Sequence, residues 1–184
     1  GAFGYCTSLT TVHMPAVNTV WDDAFAGCVS LKTVHMDSVG YIGDCAFRRT
    51  ALETVHMPAI TIVGNEAFLD CTALTTADMP ETEIVKTLAF SGCTALTAVD
   101  MPAVDTVGDG AFRGCTSLET VRMDGETKLP ALFRIVGESA FEGCTSLTAV
   151  IMPEFDSIGE AAFRGCTALT AVDMGDVWTV GHLA

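Results

Sequence analysis

Ala111-Phe112-Arg113-Gly114-Cys115-Thr116-Ser117-Leu118-Glu119-Thr120-Val121 returns later in the chain as Ala162-Phe163-Arg164-Gly165-Cys166-Thr167-Ala168-Leu169-Thr170-Ala171-Val172. With the phenylalanine as phase marker, the motif recurs at Phe3, Phe25, Phe47, Phe68, Phe90, Phe112, Phe141 and Phe163. The steps are 22, 22, 21, 22, 22, 29 and 22 residues. A leucine follows each phenylalanine by six residues, or by five at Leu52, and all eight methionines, from Met14 to Met174, hold one repeat position. Self-similarity at a period of about 20–50 residues marks a solenoid, because one unit cannot bury its apolar face alone. Stacked units share a continuous core and touch only their neighbours.

Within one unit, Leu-x-x-Val-x-Met reads as a short strand. Leu96, Val99 and Met101 face inward, and Ala98 and Asp100 face outward. Proline follows the methionine at residues 15, 58, 80, 102 and 153 and ends the strand, since it cannot donate to a ladder. A second apolar pair, such as Val104 and Val107, predicts another short extended segment on a second side. A glycine corner comes next, as at Gly64. Three residues before each phenylalanine stand mostly N-cap types, such as Asp22, Asp44 and Asn65, so the Ala-Phe pair is expected to bury one helical turn. Glycines such as Gly27 and Gly92 would end that turn in a left-handed conformation.

The prediction is therefore an α/β solenoid of about eight 22-residue coils, with parallel β-strands and short helical turns. Residues 1–184 form a single repeat domain with seven extra residues inserted near 124–132. The chain opens in mid-repeat at Gly1-Ala2-Phe3 and carries no polar cap at either end. It is expected to be an excerpt of a longer solenoid, open to end-to-end or subunit contacts at its termini.

The Ala-Phe-x-Gly-Cys-Thr-x-Leu-Thr-x-Val units at 111–121 and 162–172 resemble the BspA-type leucine-rich repeat family. The resemblance covers all eight units, with Met-Pro where that family typically carries Ile-Pro. It implies a right-handed horseshoe or flatter solenoid, and a large surface-exposed microbial protein that binds matrix, host or neighbouring cells. An extracellular or cell-surface location is expected on that ground.

Nine basic residues against 23 acidic ones give a net charge of −14. Nucleic-acid binding needs a basic stripe, which this chain lacks. Hydrophobic residues make up 49% of the chain, yet Thr, Asp and Gly interrupt every stretch. No membrane insertion is expected in this segment.

The outward strand positions are the candidate binding surface: Thr11, His13, Thr33, His35, Thr54, His56, Thr76, Asp78, Asp100 and Arg122. Their column passes from His/Thr through Asp/Arg to smaller, more apolar residues, whereas the inward positions barely vary. Solvated histidines are the plainer reading of its first part, and His35, His56 and Asp78 are a weaker candidate for a shared metal. Asp100 is expected to pair with Arg122. No cofactor is expected.

Seven cysteines form one column at 22-residue spacing, which excludes C-x-x-C zinc or redox pairs and predicts buried structural thiols. Repeat three is one residue short, and the missing residue is expected to be its cysteine; Cys45 stands off the column as the candidate exposed thiol. The sequence holds no nucleophile elbow, phosphate loop or H-E-x-x-H. The expected function is a non-enzymatic protein-binding or adhesion module that uses the strand face to meet a protein or cell-surface ligand. The alternatives are a structural spacer or accessory subunit in a larger assembly, or the repeat region of an enzyme whose catalytic domain lies elsewhere.

Overall fold

The computed structural model describes residues 1–124 and 134–182. The insertion expected near 124–132 lies, apart from Asp124, outside these residues. Each residue is followed about one repeat later by its equivalent, so the coils stack like on like in about seven turns from Phe3 to Phe163.

Two kinds of strand alternate along the chain. The three-residue strands are β1 (Thr11–His13), β3 (Thr33–His35), β5 (Thr54–His56), β7 (Thr76–Asp78), β9 (Ala98–Asp100), β11 (Thr120–Arg122), β13 (Ala149–Ile151) and β15 (Ala171–Asp173). The two-residue strands are β2 (Thr19–Val20), β4 (Tyr41–Ile42), β6 (Ile62–Val63), β8 (Ile84–Val85), β10 (Thr106–Val107), β12 (Ile135–Val136), β14 (Ser157–Ile158) and β16 (Thr179–Val180). The short strands form one continuous eight-stranded parallel sheet. The long strands form a second parallel face, split into β1-β3 and β5 to β15. Both extended segments read from the sequence are therefore present.

The helical turn is not. Among the described residues there is no helix, so the architecture is an all-strand parallel solenoid. The reason lies in the backbone around each phenylalanine. Asp23 and Gly27, two residues before and after Phe25, have φ of +54° and +70°. Cys45 and Arg49 do the same around Phe47, and Glu66 and Asp70 around Phe68. A helix needs successive right-handed residues. Here alternate amides turn outward instead: Asp23, Phe25 and Gly27 donate to the carbonyls of Asp44, Ala46 and Arg48 in the next coil, at 2.8–2.9 Å. The segment is thus a third inter-coil ladder.

The expected N-caps belong to that ladder. Asp22 Oδ1 accepts the amide of Asp44, and Asp44 Oδ1 that of Asn65, each at 2.8 Å. With no helix to cap, these carboxylates tie one coil to the next. The glycine corner also acts between coils: a Cβ on Gly64 would lie 2.6 Å from the carbonyl carbon of Gly43, so a side chain would push the coils apart.

The core runs the length of the stack. From Phe3 to Phe163, successive phenylalanine rings stack face to face, with centroids 5.0–5.3 Å apart and planes within 1–8°. Met36, Met57, Met79, Met101, Met123 and Met152 are fully buried beside them. Burial of each such side chain contributes roughly 1.5–3 kcal/mol.

Five cysteines of the column are buried, at 28, 71, 93, 115 and 144. Each thiol donates to the carbonyl of the phenylalanine one coil back, as in Cys93 Sγ to Phe68 O at 3.2 Å. The short repeat keeps this position. Thr50, three residues after Phe47, fills the cysteine slot, 4% exposed and 3.3 Å from Cys71 Sγ. The missing residue falls between Thr50 and Leu52. Cys45 is half-buried, with its thiol 3.8 Å from Glu66 Oε2, and the exposed thiol is Cys6.

Candidate functional site

The long-strand face is built by alternation. In β5, β7, β9 and β11 the central residue is buried and both flanking residues are exposed. All ten residues of the expected surface stand on this face. Parallel register sets Thr11 and His13 beside Thr33 and His35, and Thr54 and His56 beside Thr76 and Asp78. Asp78 in turn faces Asp100, and Asp100 faces Arg122.

The side chains form local pairs. The His13 and His35 rings meet edge to face at 5.6 Å. His56 Nδ1 lies 2.7 Å from Asp78 Oδ2, with both side chains well exposed. Arg122 does not take Asp100 as its partner. Its Nε donates to Asp124 Oδ1 at 2.8 Å, two residues along the same coil, a shorter reach than across the strands. The hydrogen bond and charge of Asp124, and then the charge of Asp100, raise the pKa of the Arg122 guanidinium further above its ordinary value. Because Arg122 is held on its own coil, the like charges of Asp78 and Asp100 face each other across one strand spacing, an unfavourable arrangement.

An open depression of about 270 Å³ lies at that point, lined by Thr76, Ala77, Asp78, Pro80, Ala98, Asp100 and Pro102. Ala77 occupies the strand centre where Val12, Val34, Val55, Val99 and Val121 stand in other coils. That side chain points into the core; on the outer face the small residue is Ala98, in register between Thr76 and Thr120. The sequence shows that exchange, but only the stacking gives it a location.

The three candidate metal ligands do not converge. His35 turns to His13, His56 is held by Asp78, and no ladder joins β3 to β5 between them. Among the described residues no group of three His, Cys, Asp or Glu side chains could hold a metal ion.

Two charged arrangements escaped the sequence reading. Lys32 Nζ bridges to Glu53 Oε1 at 2.8 Å across the gap between β3 and β5, and this raises the lysine pKa. Arg134 is 2% exposed, with Nε 3.1 Å from Asp105 Oδ1 and its guanidinium over the Phe155 ring at 5.7 Å. The signal was the column Asp105-Arg134-Asp156, legible once the insertion is removed from the count. No helix among the described residues is long and apolar enough to cross a membrane.

Known proteins place this geometry. No curated protein matches the chain. Among solved structures, a leucine-rich repeat protein from Bacteroides ovatus superposes with a TM-score of 0.55 at 23% identity, covering 100% of this chain and 65% of its own. A T. pallidum leucine-rich repeat protein gives 0.68 at 22% identity, over 97% of this chain and 76% of its own. The pneumococcal vaccine antigen PcpA gives 0.63 at 18% identity, over 93% of this chain and 57% of its own. The chain thus spans about two thirds of the length of the first of these, and the likeness concerns the fold. The family model for the BspA type leucine rich repeat region matches residues 1–119 and 82–180, in six copies. The chain belongs to the BspA-type leucine-rich repeat family.

Proposed function

We propose that this chain is a non-enzymatic recognition module whose long-strand face binds a protein or cell-surface ligand outside the cell. One observation carries the reading. The outward column changes from His13, His35 and His56 through Asp78 and Asp100 to Arg122 and Ile151, while the buried methionines beneath it stay constant. A partner lying across the strands meets a different group about every 4.8 Å, which is a basis for selecting one extended ligand over another. Membership of a family whose resemblance points to microbial surface proteins supports the location and the adhesive role. A spacer role is the second reading, favoured by the near-identity of the coils away from this column.

Binding of the immobilised chain to purified matrix glycoproteins and to intact cells separates the two. The expected result is saturable binding that falls at least tenfold when His13, His35, His56, Asp78, Asp100 and Arg122 are all changed to serine. These exposed positions are expected to alter stability by no more than about 0.5 kcal/mol each. A serine variant that stays folded and binds as the parent does would rule out the strand-face reading. Absence of binding by the parent across the panel would favour the spacer.

A further inference from the structure

We propose that the recognition face is hinged between β3 and β5, so that the part carrying Thr11, His13, Thr33 and His35 moves against the rest of the face. The functional consequence rests on the strand-face reading; the motion itself does not.

Three observations meet at this seam. First, the long-strand sheet is interrupted here and nowhere else in the face, which otherwise pairs from β5 through to β15. Second, a bond that closes five of the coils onto the next is missing here. The amides of Met14, Met57, Met101, Met123 and Met152 donate to the carbonyls of His35, Asp78, Arg122, Ile151 and Asp173, at 2.7–3.1 Å. Met36 makes no such bond to His56. Met79 also lacks it, but there β7 and β9 remain paired in register. Across the seam the Glu53 amide still reaches Lys32 O, at 3.3 Å. Third, the seam directly follows the one-residue shortening between Thr50 and Leu52. β5 nevertheless keeps the common register, since the Glu53 amide meets Lys32 O as the Thr75 amide meets Glu53 O and the Thr97 amide meets Thr75 O, so the seam lacks pairing bonds rather than alignment.

The other two ladders cross the seam intact. β4 pairs with β6, the Phe25 amide donates to Ala46 O at 2.8 Å, and the Phe25 and Phe47 rings stack at 5.3 Å. A stack joined along two of its three sides opens along the third, like a book on its spine. The Lys32–Glu53 bridge spans the opening side at 2.8 Å, between side chains 62% and 57% exposed. Such an exposed pair holds weakly, so it permits movement while limiting its range. The hinge lets the histidine part of the face adjust to a partner while the phenylalanine stack and the short-strand sheet stay joined.

Amide hydrogen exchange on the intact chain, resolved by residue and without any partner, tests the hinge. The Met36 amide and those β3 and β5 amides that face the seam, rather than β1 or β7, are expected to exchange at least tenfold faster than their equivalents at Met101 and in β9 and β11. Amides of β4, β6 and the Phe25–Gly27 segment should stay protected. Insertion of one threonine between Thr50 and Ala51, which restores the 22-residue step, should slow the seam amides by a similar factor. Equal protection of seam and non-seam amides in the parent chain would overturn the hinge, whether or not the insertion variant folds. So would fast exchange that extends equally to β4, β6 and Phe25, since whole coils would then be fraying. Because no partner is present, either result leaves the strand-face reading to its own binding test.

Discussion

At the scale of single residues, the two side chains that repeat most faithfully do different work. Phenylalanine supplies area, since each ring from Phe25 to Phe141 is stacked on both sides by its neighbours. Phe90→Ala should therefore cost about 3–5 kcal/mol in urea unfolding, and a loss below about 1 kcal/mol would mean that the stack collapses to fill the gap. Cysteine supplies a small donor that reaches the phenylalanine carbonyl of the preceding coil. Thr50 shows that a hydroxyl can take the place, so Cys93→Ser should be tolerated better than Cys93→Val, which has no donor. Burial pushes the thiols of Cys71 and Cys115 up from the ordinary 9.0 to about 11 and about 12. The folded state thus holds these protons more tightly than the unfolded chain does. The stabilisation is fully present below pH 9.0 and is lost as pH rises through 11 and 12. Urea midpoints should fall between pH 8.5 and 10.5, by up to about 1.4 kcal/mol per thiol per pH unit, and less so in Cys71→Ser/Cys115→Ser. With a bulky thiol reagent, Cys6 should react first and the buried column only on unfolding.

At the scale of the element, the coil is governed by contacts with its equivalents rather than by its own propensities. Gly64→Ala should destabilise by about 1–3 kcal/mol, because the added carbon meets the backbone of Gly43, which has no side chain to swing aside. A thermal melt unchanged from the parent would show that the coils can separate at that corner. Asp100→Asn should stabilise by a few tenths of a kcal/mol through relief of the contact with Asp78. Both strands and their facing were legible in the sequence, because period-two alternation and the proline stops act within a few residues. The helical turn was misread for a definite reason. Aspartate three residues before a buried phenylalanine, with glycine two residues after it, suits a capped helix locally. It suits equally a left-handed kink whose amides bond to the next coil, and the choice lies between coils, where a local pattern carries no information. The Asp100–Arg122 pair failed likewise, since Asp124 competes for the guanidinium from the same coil. The ten outward residues do share one face, because their placement follows directly from the repeat.

At the scale of the whole molecule, a charge of −14 is spread along a rod. Ion pairs between neighbouring coils offset part of it. Arg113 and Arg164 close on Glu142 from either side, and the Arg164 hydrogen bond holds that carboxyl below the usual carboxylate range. Net self-repulsion remains, and it is screened over about 10 Å at 0.1 M salt. The melting temperature should rise on going from about 0.02 to about 0.5 M sodium chloride. A fall would mean that the inter-coil ion pairs outweigh the repulsion.

Equivalent residues stack on one another, so every cut across the rod exposes the same pair of faces. A segment of one period can be removed at any phase, and the flanking coils meet as if they had always been neighbours. Excision of residues 91–112, which brings Phe90 directly to Arg113, should leave a shorter rod with its remaining surface order intact. A lineage carrying this gene can therefore lengthen, shorten or reshuffle the outward column without passing through an unfolded ancestor.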